Sequence, residues 1–238
     1  CYHVINRGVG RMQLFDDEAD YLAFVRVLGE GLSKYPDARL LSYCVMPNHW
    51  HLVFWPRRGS DRVLSELMRW VGTTHVRRWH EHRHTAGTGP IYQGRFKSFP
   101  IQADEHLLTA CRYVERNALR AGLVAKAEDW RWGSLWLRRQ GARQRVQSPE
   151  RHGDSPLEAN LLTEEELVLK GLLDDGPVGR PRNWVSLVNK PQSQAEVEAL
   201  AVSIAKGRPY GASGWVNRTA GKQGISLRGR GRPGKKRG

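Results

Sequence analysis

The chain reads as an α+β fold in which helices pack on a mostly antiparallel sheet. Two observations carry this expectation. Over residues 1–140, apolar residues switch between period-two and helical spacing in the order strand, helix, strand, strand, helix, strand, helix. The two middle strands are separated by Pro47-Asn48, a turn dipeptide that folds neighbouring strands back on each other as a hairpin. A length of 238 residues allows a core of ordinary size and an appendage. Apolar residues make up 39%, and nine tryptophans help fill that core.

The elements follow in order. Tyr2 to Asn6 alternates as a short strand, and Arg7-Gly8-Val9-Gly10 turns away from it. Asp16 or Asp17 caps a helix whose apolar positions include Leu22, Phe24, Val25 and Leu28. Arg39 to Met46 and His49 to Trp55 form the hairpin. A long basic helix covers about Ser60 to His84, and a Gly-rich loop covers Thr85 to Pro90. Phe96 to Ile101 is a further strand. Asp104 caps another helix, which Gly122 ends.

Beyond this unit the character changes. Residues 141–205 carry the acidic run Glu164-Glu165-Glu166 and turn chemistry at Asp174-Asp175-Gly176-Pro177, which predicts a variable, partly helical linker. Residues 206–238 hold ten Lys or Arg and no Asp or Glu. Residues 206–238 are expected to form a basic DNA-binding tail, disordered when free, since their end, from Arg228 to Arg237, cannot build a core.

Charge narrows the partners. Lys and Arg outnumber Asp and Glu by 38 to 24, a formal +14, so polyanions are attracted and nucleic acid is the default partner. No apolar run is long enough for a membrane span, and no membrane partner is expected. No secretory signal opens the chain, and three scattered cysteines suit a reducing cytoplasm. The first residue is Cys and a strand begins at once, so the natural N-terminus is expected to lie further upstream.

Two constellations carry chemistry. His49 and His51 share one strand face, with Trp50, Leu52 and Phe54 on the other. Two imidazoles one strand repeat apart can reach a single metal ion. The spacing equally fits a half-exposed face that happens to hold two histidines. On the later helix, Leu107, Leu108, Cys111, Val114 and Ala118 form the core stripe, while Tyr113, Asn117 and Arg120 line up on its flank. A phenol nucleophile, an amide oxygen for a metal and a guanidinium for a phosphate oxygen suit attack on a phosphodiester. A tyrosine packed at the helix edge beside a solvated arginine is the plain alternative.

In the basic helix, Arg62, Arg69, Arg77, Arg78 and Arg83 alternate with Trp70 and Trp79. Arg77 and Arg78 are candidates for phosphate contact, with Arg95, Lys97, Arg120 and, in the tail, Arg228, Arg230 and Arg232. His75, His80, His82 and His84 lack acidic or thiol partners and read as a solvated cluster rather than a second metal site.

Three separated motifs then occur in a familiar order. His49-Trp50-His51 within Met-Pro-Asn-His-Trp-His-Leu-Val resembles the HUH motif, two histidines flanking a bulky apolar residue. Tyr92-Gln93-Gly94-Arg95-Phe96-Lys97-Ser98 follows, and then Tyr113-Val114-Glu115-Arg116-Asn117-Ala118-Leu119-Arg120. Together they resemble the REP-associated tyrosine transposases, a branch of the single-tyrosine HUH transposases of bacterial insertion sequences. The resemblance runs from Tyr2 to about Trp136 and resumes at Gly207-Arg208-Pro209-Tyr210-Gly211.

That resemblance implies the HUH endonuclease fold, a ferredoxin/RRM-like antiparallel sheet with packed helices. It implies His49, His51 and Asn117 as metal ligands, Mg²⁺ or Mn²⁺ as the ion and Tyr113 as nucleophile. The reaction implied is cleavage of single-stranded or hairpin DNA through a 5′-phosphotyrosine, followed by strand transfer. A monomer or weak homodimer, cytoplasmic and nucleoid-associated, is the corresponding expectation. A catalytically idle hairpin-binding descendant is the alternative, as is a hydrolytic nuclease that does not need Tyr113. Where the family often reads Asn-Pro-Val-Arg, this chain reads Asn117-Ala118-Leu119-Arg120, and the missing proline predicts a more continuous helix.

Overall fold

The computed structural model describes residues 1–60, 62–144 and 162–227. Four antiparallel strands form one sheet in the order β2-β3-β1-β4: β1 (Tyr2–Arg7), β2 (Leu40–Met46), β3 (His49–Phe54) and β4 (Lys97–Pro100). The helices between them are α1 (Glu18–Lys34) and α2 (Val63–Arg83). After β4 come α3 (Glu105–Glu115), α4 (Asn117–Arg120) and α5 (Ser134–Gln144). The predicted α+β architecture is the observed one, with α5 as an element that the sequence reading did not separate.

Period-two alternation decides which side of the sheet each residue serves. Val4, Tyr43, Val45, Trp50, Leu52 and Phe54 point into a core closed by α1 and α2. Cys44, Met46, Val53 and Phe99 point the other way, into a second core closed by α3. A register shift between Leu40 and Ser42 lets Leu40 serve the first core and Leu41 the second. Asp17 caps α1 by accepting from the Asp20 N–H, and Asp104 caps α3 by accepting from the His106 N–H. The left-handed His84 closes α2.

The reading of 141–205 as a linker gives way to packed structure. Within it lie α6 (Glu164–Gly171), α7 (Trp184–Asn189) and most of α8 (Gln194–Lys206). Leu162 and Leu169 join the α1–α2 core, while Trp184, Val188 and Leu200 join the α3 core. These residues sit in short apolar clusters separated by polar residues, and their burial depends on partners distant in sequence. The basic segment is also structured as far as residue 227. Tyr210 exchanges backbone hydrogen bonds with Pro100 and Gln102, both 2.9 Å, and α9 (Ser213–Gln223) follows. The expectation of disorder for the tail therefore fails over 206–227, where Tyr210 and Ala220 are buried. Arg228, Arg230 and Arg232 lie outside the described residues.

Candidate active site

The site is built on the two central strands. β1 pairs with β3 so that Arg7 lies opposite His49, Ile5 opposite His51 and His3 opposite Val53. His49 and His51 share the α3 face, their rings 5.0 Å apart and nearly perpendicular. Each has its Nδ1 engaged. His49 Nδ1 is 2.6 Å from Asn48 Oδ1, an acceptor, so the imidazole donates there and keeps its Nε2 lone pair. His51 Nδ1 is 2.8 Å from Nε2 of the buried His3. Second-sphere contacts of this kind orient metal-binding imidazoles.

Burial also sets their protonation. Desolvation, helped by Arg7 and Arg120, lowers the His49 pKa to about 4. Desolvation first, then the neighbouring histidines and arginines, places His51 well below its ordinary value. Burial brings His3 to about 3. All three rings are neutral at pH 7, the form that a metal requires.

Tyr113 reaches this face from α3. Its ring centroid is 6.0 Å from that of His51, edge to face, and it is 7% exposed. The Arg120 guanidinium sits 4.2 Å above the Tyr113 ring and donates to Asn117 Oδ1 at 2.8 Å. Arg120 thus touches both Tyr113 and Asn117, as helical spacing predicts. The helix is less continuous than expected. It breaks at Arg116 (φ −83°, ψ −5°) although proline is absent. Arg116 donates to the carbonyls of Val188 and Asn189, and Glu115 is drawn into a buried network, so tertiary ties localise the break.

The donor set fits a divalent ion. Nε2 of both His49 and His51 has no protein partner among the described residues. Asn117 Oδ1 accepts from Arg120 and retains a second lone pair, while its buried Nδ2 is unpartnered. Asp104, Glu105 and His106 also bring ligand atoms within 4.8 Å of one another. There, however, Asp104 serves as the α3 cap and holds the His106 ring at 2.8 Å.

The remaining predicted residues divide. Lys97 is exposed and pairs with Ile5, which in turn pairs with His51, so the three lie in one row across the sheet. Arg95 is exposed in the preceding loop, and Arg77 is exposed on α2, 3.8 Å from Glu81. Arg78 is instead held by Glu30 through two hydrogen bonds of 3.0 and 2.8 Å. Trp70 and Trp79 pack against the core rather than offering stacking platforms. His75 is buried against the Tyr92 hydroxyl at 2.7 Å, and His80 bonds Thr85 and the Gly89 carbonyl, both structural roles. The sequence reading overlooked His3 and Arg7. Alternation along Tyr2–Arg7 places both on one face, but only the pairing with β3 shows whose face it is.

Residues 1–117 match the model of a family described as IS200-like transposases. Among curated proteins, none matches the chain. A solved structure described as a REP-associated tyrosine transposase bound to a REP hairpin aligns with a TM-score of 0.48 at 20% identity. The alignment covers 68% of this chain and 90% of that one. No helix among the described residues is long and apolar enough to cross a membrane.

Proposed function

Residues 1–117 of this chain belong to the IS200-like transposase family, and on that premise we propose that the protein cleaves and rejoins single-stranded DNA at or near hairpins, with Tyr113 as nucleophile. One observation carries the reading. Tyr113 lies edge to face against His51, whose ring is 5.0 Å from that of His49; the Nε2 atoms of both neutral imidazoles have no protein partner among the described residues, and the Tyr113 ring is covered by the Arg120 guanidinium.

His49, His51 and the second lone pair of Asn117 Oδ1 would hold Mg²⁺ or Mn²⁺. The ion would polarise the scissile phosphate as a Lewis acid. Tyr113 Oη gives up its proton and forms the new bond to phosphorus, the bond from phosphorus to the 3′ oxygen breaks, and the proton lost by the phenol balances the one the leaving oxygen gains. That oxygen leaves as a 3′-hydroxyl, taking up a proton, and the 5′ phosphate remains on the tyrosine. Attack by another 3′-hydroxyl reverses the step on a new strand, so rejoining needs no external energy source. Arg120 and Arg7, which both lower the His49 pKa, supply positive charge where phosphate oxygens gather. Lys97 extends that field along the same sheet face.

The test uses labelled single-stranded hairpin DNA from the flanks of the gene, incubated with protein and Mg²⁺ or Mn²⁺ and run on a denaturing gel. A covalent adduct is expected with the wild type, and none with Tyr113→Phe or with chelator. Cleavage that persists in Tyr113→Phe would mean a hydrolytic nuclease. Tight binding with no adduct would mean an idle binder.

A further inference from the structure

On the side of the sheet away from Tyr113, α2 and the loop before β4 enclose an open groove of about 840 Å³. Its α2 wall consists of two rows at four-residue spacing. Ser65, Arg69, Thr73 and Arg77 form a polar row, and Met68, Gly72 and Val76 form an apolar row beside it. Ile91, Arg95 and Phe96 stand on the facing wall. The groove thus has an apolar floor under a rim of three arginines. Its volume falls in the range of sites that hold a small organic ligand.

Gly72 marks the floor. It occupies the interior of a 21-residue helix, where glycine is the poorest residue after proline. A Cβ added there would meet nothing within 4 Å, so no close helix packing demands the glycine. The missing side chain opens a notch between Met68 and Val76. By contrast, a Cβ added at Gly31 on the facing α1 would come within 3.2 Å of three side chains, so close helix packing favours glycine there.

We propose that this groove binds unpaired nucleotides of the single-stranded DNA, with a base seated in the Gly72 notch against Phe96 and the phosphates on Arg69, Arg77 and Arg95. Charge selects the occupant. Three guanidiniums favour a polyanion and repel the chain's own basic C-terminal segment, while the apolar floor suits a flat base that a paired duplex would not present. The inference rests on the DNA reading above, but it adds a second contact surface separate from the tyrosine site.

The test compares the full-length protein's affinity, by fluorescence anisotropy, for a labelled oligothymidylate of about a dozen nucleotides and for an abasic chain of equal length. Both carry the same phosphates and only one carries bases. The wild type is expected to prefer the base-bearing strand by roughly tenfold, the scale of one stacked base. Gly72→Phe fills the notch and should bring that ratio close to one. Gly72→Ala, which leaves the groove open, should keep it. Equal affinity of the wild type for the two strands, or a preference that survives in Gly72→Phe, overturns the groove proposal. Adduct formation by Tyr113 is scored separately. An adduct without base preference removes the groove alone, and base preference without an adduct removes the nuclease reading alone.

Discussion

Replacing Glu115 by alanine should destabilise the protein more than any single change at the surface. The Glu115 side chain is fully buried between α3, β2, α5 and α7. It accepts from Trp184 Nε1 at 2.6 Å, from Ser134 Oγ at 2.8 Å and from Ser42 Oγ at 3.3 Å, with the Arg180 guanidinium at 3.9 Å. Not every partner is stranded when it goes. Ser42 and Ser134 lie 3.1 Å apart and can bond each other, and Arg180 still donates to the Leu41 carbonyl at 2.7 Å. Two buried donors are left, the Trp184 N–H and one hydroxyl. At about 1–3 kcal/mol each, the loss is about 4 kcal/mol. For a chain of this size that corresponds to a fall in Tm of about 8–16 °C. Glu115→Gln keeps one acceptor and should lose about half as much. Thermal unfolding followed by circular dichroism reads both. A Glu115→Ala variant melting within about 2 °C of wild type would refute the reasoning, because the network would then carry no net stability.

Other outcomes follow from single contacts. His3→Phe preserves the stack on Phe99, 4.8 Å away, but removes the nitrogen that meets His51 Nδ1. Mn²⁺ affinity measured by electron paramagnetic resonance should fall about tenfold, and an unchanged affinity would show that His3 does not orient its neighbour. His75 is buried with its pKa lowered to about 3 from 6.5, so the unfolded chain binds the extra proton between those values. Its stabilising contribution is whole above pH 6.5 and is lost as pH falls toward 3. The stability margin of wild type over His75→Gln in urea should therefore shrink by about 2 kcal/mol from pH 7.5 to 5, and a constant margin would contradict the assignment. Gly31→Ala pushes a methyl to 2.8 Å from Leu67 and 3.0 Å from Val71, whereas Gly72→Ala meets open space. The first should lower Tm through overpacking and the second raise it by about 2–4 °C; shifts of the same sign would count against the packing argument.

How much of the fold the sequence discloses depends on the range of the interactions that fix each element. The strands, α1 and α2 carry their own periodicity and caps, and their ends fall within a few residues of the sequence reading. The break at Arg116 is different. No residue there is a helix breaker; the interruption accompanies bonds from Arg116 to carbonyls 72 and 73 residues away. The packing of 162–210 is hidden for the same reason. Trp184 opens a short apolar cluster with Val185, Leu187 and Val188, and its place follows from Glu115, 69 residues earlier.

The candidate site divides along the same line. Tyr113, Asn117 and Arg120 come together through helical rotation, since seven residues return a side chain to within about 20° of its starting direction. Arg120 accordingly covers the Tyr113 ring although the helix is interrupted between them. His49 and His51 come together through strand alternation, which is equally local. What joins the two halves is not local. β1 lies between β3 and β4 and brings His3 and Arg7 to the histidine pair across 48 and 42 residues of chain. A nucleophile and a ligand pair can therefore be named from spacing, while the groups that set their protonation, tautomer and field can be named only once strand pairing is known. If those groups matter as argued, Arg7→Ala should weaken cleavage without altering the fold, because Arg7 is half-buried at the end of β1 and acts on His49 through charge rather than packing.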